Sequence, residues 1–363
     1  MTHTPASLKQ LLDTYNPGAS VPKLGAHNAA FAAALAIVSN DTDNKALPSL
    51  EQLRQSVTSS LDGKHLTYPA GMSQQSYKEE EIGGLRCYTL KTKTPETAPT
   101  FVMFYGGGFC LDTLAAHKAF MANVAARTAC NIILPDCPLA PEIKAPEIIA
   151  KTGNFLKELL ANPLRHGFSE NVILMGWSSG SNLALTLALN LQTQAPNLYS
   201  KISKFILLSP WIDLSLQVSR TGPFQTQQNA DTIAAGADLL ELMSKWYLPA
   251  GSQGTEAEFC PACRSPEALA KLAPVTIITG ACEVLFGDAV FLADALKRAG
   301  TETQLIAVEG QTHNYLVFNE LSLDGVYIPE LIARIAHNQA VENMRGTDNL
   351  GLIVKKSSMG MEK

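Results

Sequence analysis

The chain has 363 residues, 46% hydrophobic and 17% charged, enough to bury one large α/β core or two smaller ones. A formal net charge of −5, with no basic run, argues against a nucleic-acid partner. Seven cysteines (Cys87, Cys110, Cys130, Cys137, Cys260, Cys263 and Cys282) form an odd, scattered set, several of them beside apolar strand candidates, which predicts buried reduced thiols and a reducing compartment.

Residues 1–75 carry helical patterns broken at Asn16-Pro17-Gly18, at Asp41 to Asn44 and at Asp62-Gly63, with no catalytic motif. The apolar run Ala29–Val38 is too short to span a bilayer and lies late for a signal peptide. It reads as an Ala-rich helix facing the core, so the expectation is a cytoplasmic protein with no membrane span. Ser76–Leu90 has the pattern of a hairpin turning at Gly83-Gly84, and Lys91–Pro99 that of a loop. From Thr100 onward strands alternate with helices. Strands are predicted at Phe101–Tyr105, Asn131–Leu134, Asn171–Met175, Phe205–Leu208, Val275–Thr279 and Gln304–Val308. Helices are predicted near His117–Thr128, Ile143–Leu160, Asn182–Leu191 and Asp288–Arg298. Such alternation predicts βαβ units and a mostly parallel sheet with helices on both faces. A long interruption between Trp211 and Pro274 has the character of a lid or binding loop. The resulting division is a helical cap region at 1–75, a catalytic domain at 76–345 with a cap insertion at about 213–262, and a mobile tail at 346–363.

The chemistry centres on Val172-Ile-Leu-Met-Gly-Trp-Ser-Ser-Gly180. An apolar strand leads into Gly-x-Ser-x-Gly, and a helical stretch follows, the pattern of a nucleophile elbow with Ser178 at its tip. A serine nucleophile needs a base, an acid that orients the base, and donors for an oxyanion. Among the seven histidines only His313 lies just after the last strand candidate, where groups of an α/β site gather. His117 and His166 read as solvated helix or loop positions. Two carboxylates compete for the acid. Glu283 follows the strand Val275–Thr279 directly, whereas Asp288 reads as a helix cap, so Glu283 is favoured. Gly106-Gly107-Gly108 closes the first strong strand and suits an oxyanion hole better than a phosphate loop, since no Gly-Lys-Ser/Thr follows. Cys260-Pro-Ala-Cys263 has no second pair or nearby histidine to complete a metal site.

These motifs resemble those of the hormone-sensitive-lipase-like (family IV) carboxylesterases of the α/β-hydrolase fold. Tyr105-Gly-Gly-Gly-Phe109 is similar to that family's His-Gly-Gly-Gly segment. Asp136-Cys-Pro-Leu-Ala-Pro-Glu142 resembles its Asp-Tyr-Arg-Leu-Ala-Pro-Glu, and Ser209-Pro-Trp-Ile-Asp213 its Ser-Pro-Trp-x-Asp. The resemblance covers about residues 75 to 320. It implies Ser178 as nucleophile, His313 as base, Glu283 as acid and the N–H groups of Gly107, Gly108 and Ser179 as the oxyanion hole. Tyr105, Phe109, Trp177 and Trp211 are the pocket candidates. Tyr105 stands where the family has histidine, which leaves open how the glycine loop is held. The expected activity is hydrolysis of a small-molecule ester with a small or medium acyl group through an acyl-enzyme, with no metal or cofactor. A lactonase or deacetylase, or a non-catalytic binding protein on the same scaffold, are the alternatives.

Overall fold

The computed structural model describes residues 47–60, 66, 68–221, 236–281, 283–308, 311–313, 328–339 and 352–356. The Ala29–Val38 run, most of the expected N-terminal cap, Gln225 to Asn229 and Cys282 lie outside the described residues.

In chain order the elements begin with α1 (Leu50–Ser60), the hairpin β1 (Lys78–Ile82) and β2 (Leu85–Leu90), then β3 (Thr100–Phe104), α2 (Leu114–Thr128) and β4 (Asn131–Pro135). They continue with α3 (Ala145–Ala161), β5 (Val172–Trp177), α4 (Ser179–Gln194), β6 (Ile202–Leu208) and α5 (Gly236–Tyr247). The last are β7 (Val275–Gly280), α6 (Phe286–Ala299), β8 (Thr303–Val308), α7 (Ile328–Ala336) and β9 (Leu352–Lys356). The nine strands form one sheet in the order β1-β2-β4-β3-β5-β6-β7-β8-β9. Strands β3 to β8 run parallel where they pair, and β1, β2 and β9 add antiparallel edges.

The parallel strands read as unbroken apolar runs because both faces are covered. Side chains alternate across each strand, so the sheet divides two cores. Val102, Phe104, Leu174, Leu207 and Ile277 meet Leu156 and Leu159 of α3, Leu187 of α4 and Leu292 of α6. Phe101, Met103, Ile173, Met175 and Ile278 meet Phe120 and Val124 of α2 and Leu331 of α7. The hairpin turns at Gly83, where φ is +56° and an added Cβ would sit 2.6 Å from Phe155 Cα in α3.

Within the expected tail, Leu352–Lys356 forms an edge strand, paired antiparallel with β8 from Gln304↔Lys356 to Val308↔Leu352. Its Leu352-Ile-Val core has the β-branched character that suits a strand, in a tail whose polar average hid it. Among the described residues no helix is long and apolar enough to cross a membrane.

Candidate active site

Ser178 follows the last residue of β5 and caps the start of α4 with φ 52° and ψ −121°, a conformation a non-glycine residue holds only under strain, at a cost of about 1–3 kcal/mol. Two glycines make that turn possible. A Cβ on Gly180 would overlap the carbonyl oxygen of Phe104, and one on Gly176 would collide with the backbone of Gly180 and Ser181. Strand β6 and the loop after it anchor the tip, with Ser178 N–H donating to Leu208 O at 2.8 Å and Trp211 N–H donating to Ser178 O at 3.1 Å.

The loop after β8 carries His313, whose Nε2 lies 3.1 Å from Ser178 Oγ. Its Nδ1 lies 3.5 Å from Glu283 Oε2, and all three side chains are buried. Gly280 lets the loops that carry Glu283 and His313 meet, because the Gln311 backbone occupies the space a Cβ would need there. Glu283 is wholly buried, and its oxygens are satisfied as a buried carboxylate requires. Oε1 accepts from Thr279 Oγ1 at 2.6 Å, and Oε2 from Ser209 Oγ at 2.7 Å. Ser209 and Thr279 therefore aim the Glu283 carboxylate. Sequence reasoning gave neither a role, although Ser209 opens the Ser-Pro-Trp segment.

The Asp288 carboxylate is turned away from His313 to other partners, and it does not cap its own helix. Its Oδ1 accepts from the backbone N–H groups of Ile212 (2.8 Å) and Asp213 (2.7 Å), and its Oδ2 from Ser219 Oγ (3.2 Å). Burial, reinforced by the nearby Asp213 carboxylate, pushes the Asp288 carboxyl well above its usual range. The residue pins the loop that leaves β6, the same loop that carries Ser209 and Trp211.

Gly107 has φ 122° and Gly108 φ 60°, so both need glycine. Among the described residues their N–H groups donate to no protein acceptor, and Ser179, first in α4, has no intrahelical one. These are the three donors expected around an oxyanion.

His117 corrects the expectation of a solvated position. It is buried, and burial pulls its imidazole down to about 4, so the ring is neutral at pH 7. With Nδ1 2.9 Å from Thr113 O, the proton belongs on Nδ1, and Nε2 accepts from Gly106 N–H at 3.3 Å. Tyr105 does not grip the loop, since its hydroxyl donates to Cys137 O at 3.1 Å. Trp177 is also corrected. It is fully buried in the core between His117 and Phe120, with no surface left for a ligand. Trp211 is equally buried and donates its ring N–H to Asp213 O. Phe109 stacks on Tyr247 of α5 at 3.7 Å, and Met243 of the same helix abuts Gly108, so the insertion lies against the glycine loop. Cys260 and Cys263 form a disulfide, at odds with a wholly reduced set, whereas Cys87, Cys110, Cys130 and Cys137 are free.

A family model for the alpha/beta hydrolase fold matches residues 101–317, well over half the chain. The chain belongs to the esterase-type α/β-hydrolase family. The matched stretch contains every catalytic candidate. An esterase of Acinetobacter venetianus is 30% identical over 238 residues, covering 66% of this chain and 74% of the relative. An esterase of Fusarium pseudograminearum is 22% identical over 237 residues, covering 64% and 71%. An esterase of the bacterial hormone-sensitive lipase family has the same fold, with a TM-score of 0.73 at 19% identity over 87% of this chain and 98% of that one. A Pyrobaculum calidifontis esterase superimposes with a TM-score of 0.71 at 20% identity, over 84% and 97%. The family and fold implied by the motifs are thus those of the chain.

Proposed function

We propose that the protein is a serine hydrolase that cleaves carboxylic esters of small or medium acyl groups through an acyl-enzyme. The observation that carries this reading is the buried series Ser178 Oγ, His313 Nε2, His313 Nδ1, Glu283 Oε2, with backbone donors in the glycine loop and at the start of α4 that have no protein acceptor among the described residues. Ser178 Oγ attacks the ester carbonyl carbon while His313 Nε2 takes its proton, and Glu283 stabilises the imidazolium that forms. Negative charge on the carbonyl oxygen is met by the N–H groups of Gly107, Gly108 and Ser179. Collapse breaks the ester C–O bond, and the alcohol leaves with the proton from His313. Water then repeats the sequence on the acyl-serine, giving the carboxylic acid and free Ser178.

Packing beside the loop supports the modest acyl size. Phe109, Tyr247, Trp211 and Met243 fill one side of the glycine turn with rigid or bulky groups. In this reading α5 and the rest of the 213–262 insertion cover the site. The test is a series of p-nitrophenyl esters from acetate to palmitate, with Ser178→Ala and a fluorophosphonate label. The expected result is hydrolysis favouring short chains, labelling at Ser178, and a loss on the order of 10⁴ in kcat for the variant. A folded wild-type protein that hydrolyses no ester and resists the label would favour a binding role instead.

A further inference from the structure

Each oxyanion N–H belongs to a planar peptide unit whose carbonyl points the other way, so whatever holds the carbonyl decides where the N–H aims. For Ser179 that carbonyl is Ser178 O, held within the elbow by Ser181 N–H at 3.0 Å and Trp211 N–H at 3.1 Å. The two glycine donors are held by side chains that the mechanism does not use.

Gly107 N–H shares its peptide with Gly106 C=O, which accepts from Thr113 Oγ1 at 2.7 Å. Gly108 N–H shares its peptide with Gly107 C=O, which accepts from Leu111 N–H at 2.9 Å and Cys110 N–H at 3.1 Å. The peptide that carries Leu111 N–H has Cys110 C=O at its other end, and that oxygen accepts from Arg54 Nε at 3.0 Å. A guanidinium, two peptides and the Gly108 N–H therefore form one head-to-tail series. In a buried site such series polarise one another, so each end strengthens the far donor. Arg54 also donates to Ala140 O at 3.0 Å, and Ala140 N–H donates to Phe109 O at 2.9 Å, closing the frame around the loop.

We propose that Thr113 and Arg54 are positioning residues of the oxyanion hole, Thr113 acting through the Gly106–Gly107 peptide and Arg54 through Leu111 on the Gly107–Gly108 peptide. The inference rests on the esterase reading of Ser178. Neither side chain needs to touch substrate. Arg54 lies in α1, outside the segment the family model matches, so α1 serves the chemistry from behind the glycine loop as well as any cover it provides. Arg54 also pairs bidentately with Glu142, through Nη1 at 2.5 Å and Nη2 at 2.8 Å, so the half-buried guanidinium is held in place while its Nε remains committed to Cys110 O.

The experiment compares Thr113→Val, Thr113→Ser, Arg54→Met and wild type. It records kcat, KM, melting temperature and the affinity for a trifluoromethyl ketone, whose serine adduct places an oxyanion in the hole. Thr113→Val and Arg54→Met should each lower kcat by roughly 5- to 50-fold at nearly unchanged KM, less than the 10²–10³ lost with a direct donor. Ketone affinity should weaken by the same factor as kcat/KM, and Thr113→Ser should recover to within about threefold of wild type because the hydroxyl returns. Full kcat in both variants of an active wild type overturns the proposal. So does a slowed variant whose ketone affinity is intact, or a Thr113→Ser as slow as Thr113→Val. A wild type inert toward all esters and toward the fluorophosphonate removes the esterase reading and this inference with it, an outcome distinct from active but insensitive variants.

Discussion

Replacing His117 by phenylalanine removes a titrating ring from the core while keeping an aromatic surface against Trp177. In the folded protein burial lowers this imidazole from 6.5 to about 4, whereas the unfolded chain titrates near the ordinary value. Between those limits the unfolded chain binds a proton that the folded one refuses. The contribution of His117 to stability is therefore complete above about pH 6.5 and is lost progressively down to about pH 4, by about 3 kcal/mol for a shift of this size. Below that the folded ring protonates too, and Nε2 can no longer accept from Gly106 N–H. His117→Phe carries none of this dependence. At pH 7.5 it should be less stable than wild type by about 1–3 kcal/mol, the penalty of leaving the buried Gly106 N–H without its acceptor. The gap should shrink as pH falls and close or reverse near pH 4.5. Asp213 and Asp288, both raised by burial, titrate in each protein and cancel in the difference. Urea unfolding of both proteins from pH 4.5 to 8 at constant ionic strength measures the gap. A gap that stays constant across that range would refute the assignment of a buried neutral imidazole.

Glu283→Gln should lower kcat by roughly 10³–10⁴ with little change in melting temperature, as expected when the group that orients and stabilises the imidazolium is lost. An active Glu283→Gln would move the acid elsewhere. Asp288→Ala should instead be a stability variant. It strands the N–H groups of Ile212 and Asp213 and should lose about 2–5 kcal/mol in urea unfolding, more than the roughly 1 kcal/mol of a helix cap. Gly180→Ala should fail to accumulate as folded protein, because the added methyl overlaps the Phe104 carbonyl of β3; circular dichroism of any soluble product checks this. Replacing Cys260 and Cys263 together by serine should keep kcat within about threefold and lower stability by about 2 kcal/mol or less, since the disulfide closes a short loop.

Much of the architecture was written in neighbouring residues. The apolar run Val172 to Met175, the two glycines around Ser178 and the helical stretch after it describe a strand, a strained turn and a helix through local rules alone. Chain order and position after strands pointed to Glu283 and His313, and the structure brings both beside Ser178, because a parallel sheet delivers successive loops to the same edge. What supports those groups was not legible. His117, Thr113 and Arg54 belong to no local pattern that marks them. Trp177 sits beside the nucleophile in sequence, yet strand alternation turns it into the core beneath the site. Asp288 fits a helix cap by position, but the Ile212 and Asp213 amides, 76 and 75 residues away, claim its carboxylate. The strand at Leu352–Lys356 needed the open edge of β8 to be recognised. Backbone preference and hydrophobic period are properties of a short window. The partner of a buried polar group is whichever residue the sheet order brings within about 3 Å, so only the tertiary structure decided how the glycine loop is held and the Glu283 carboxylate aimed.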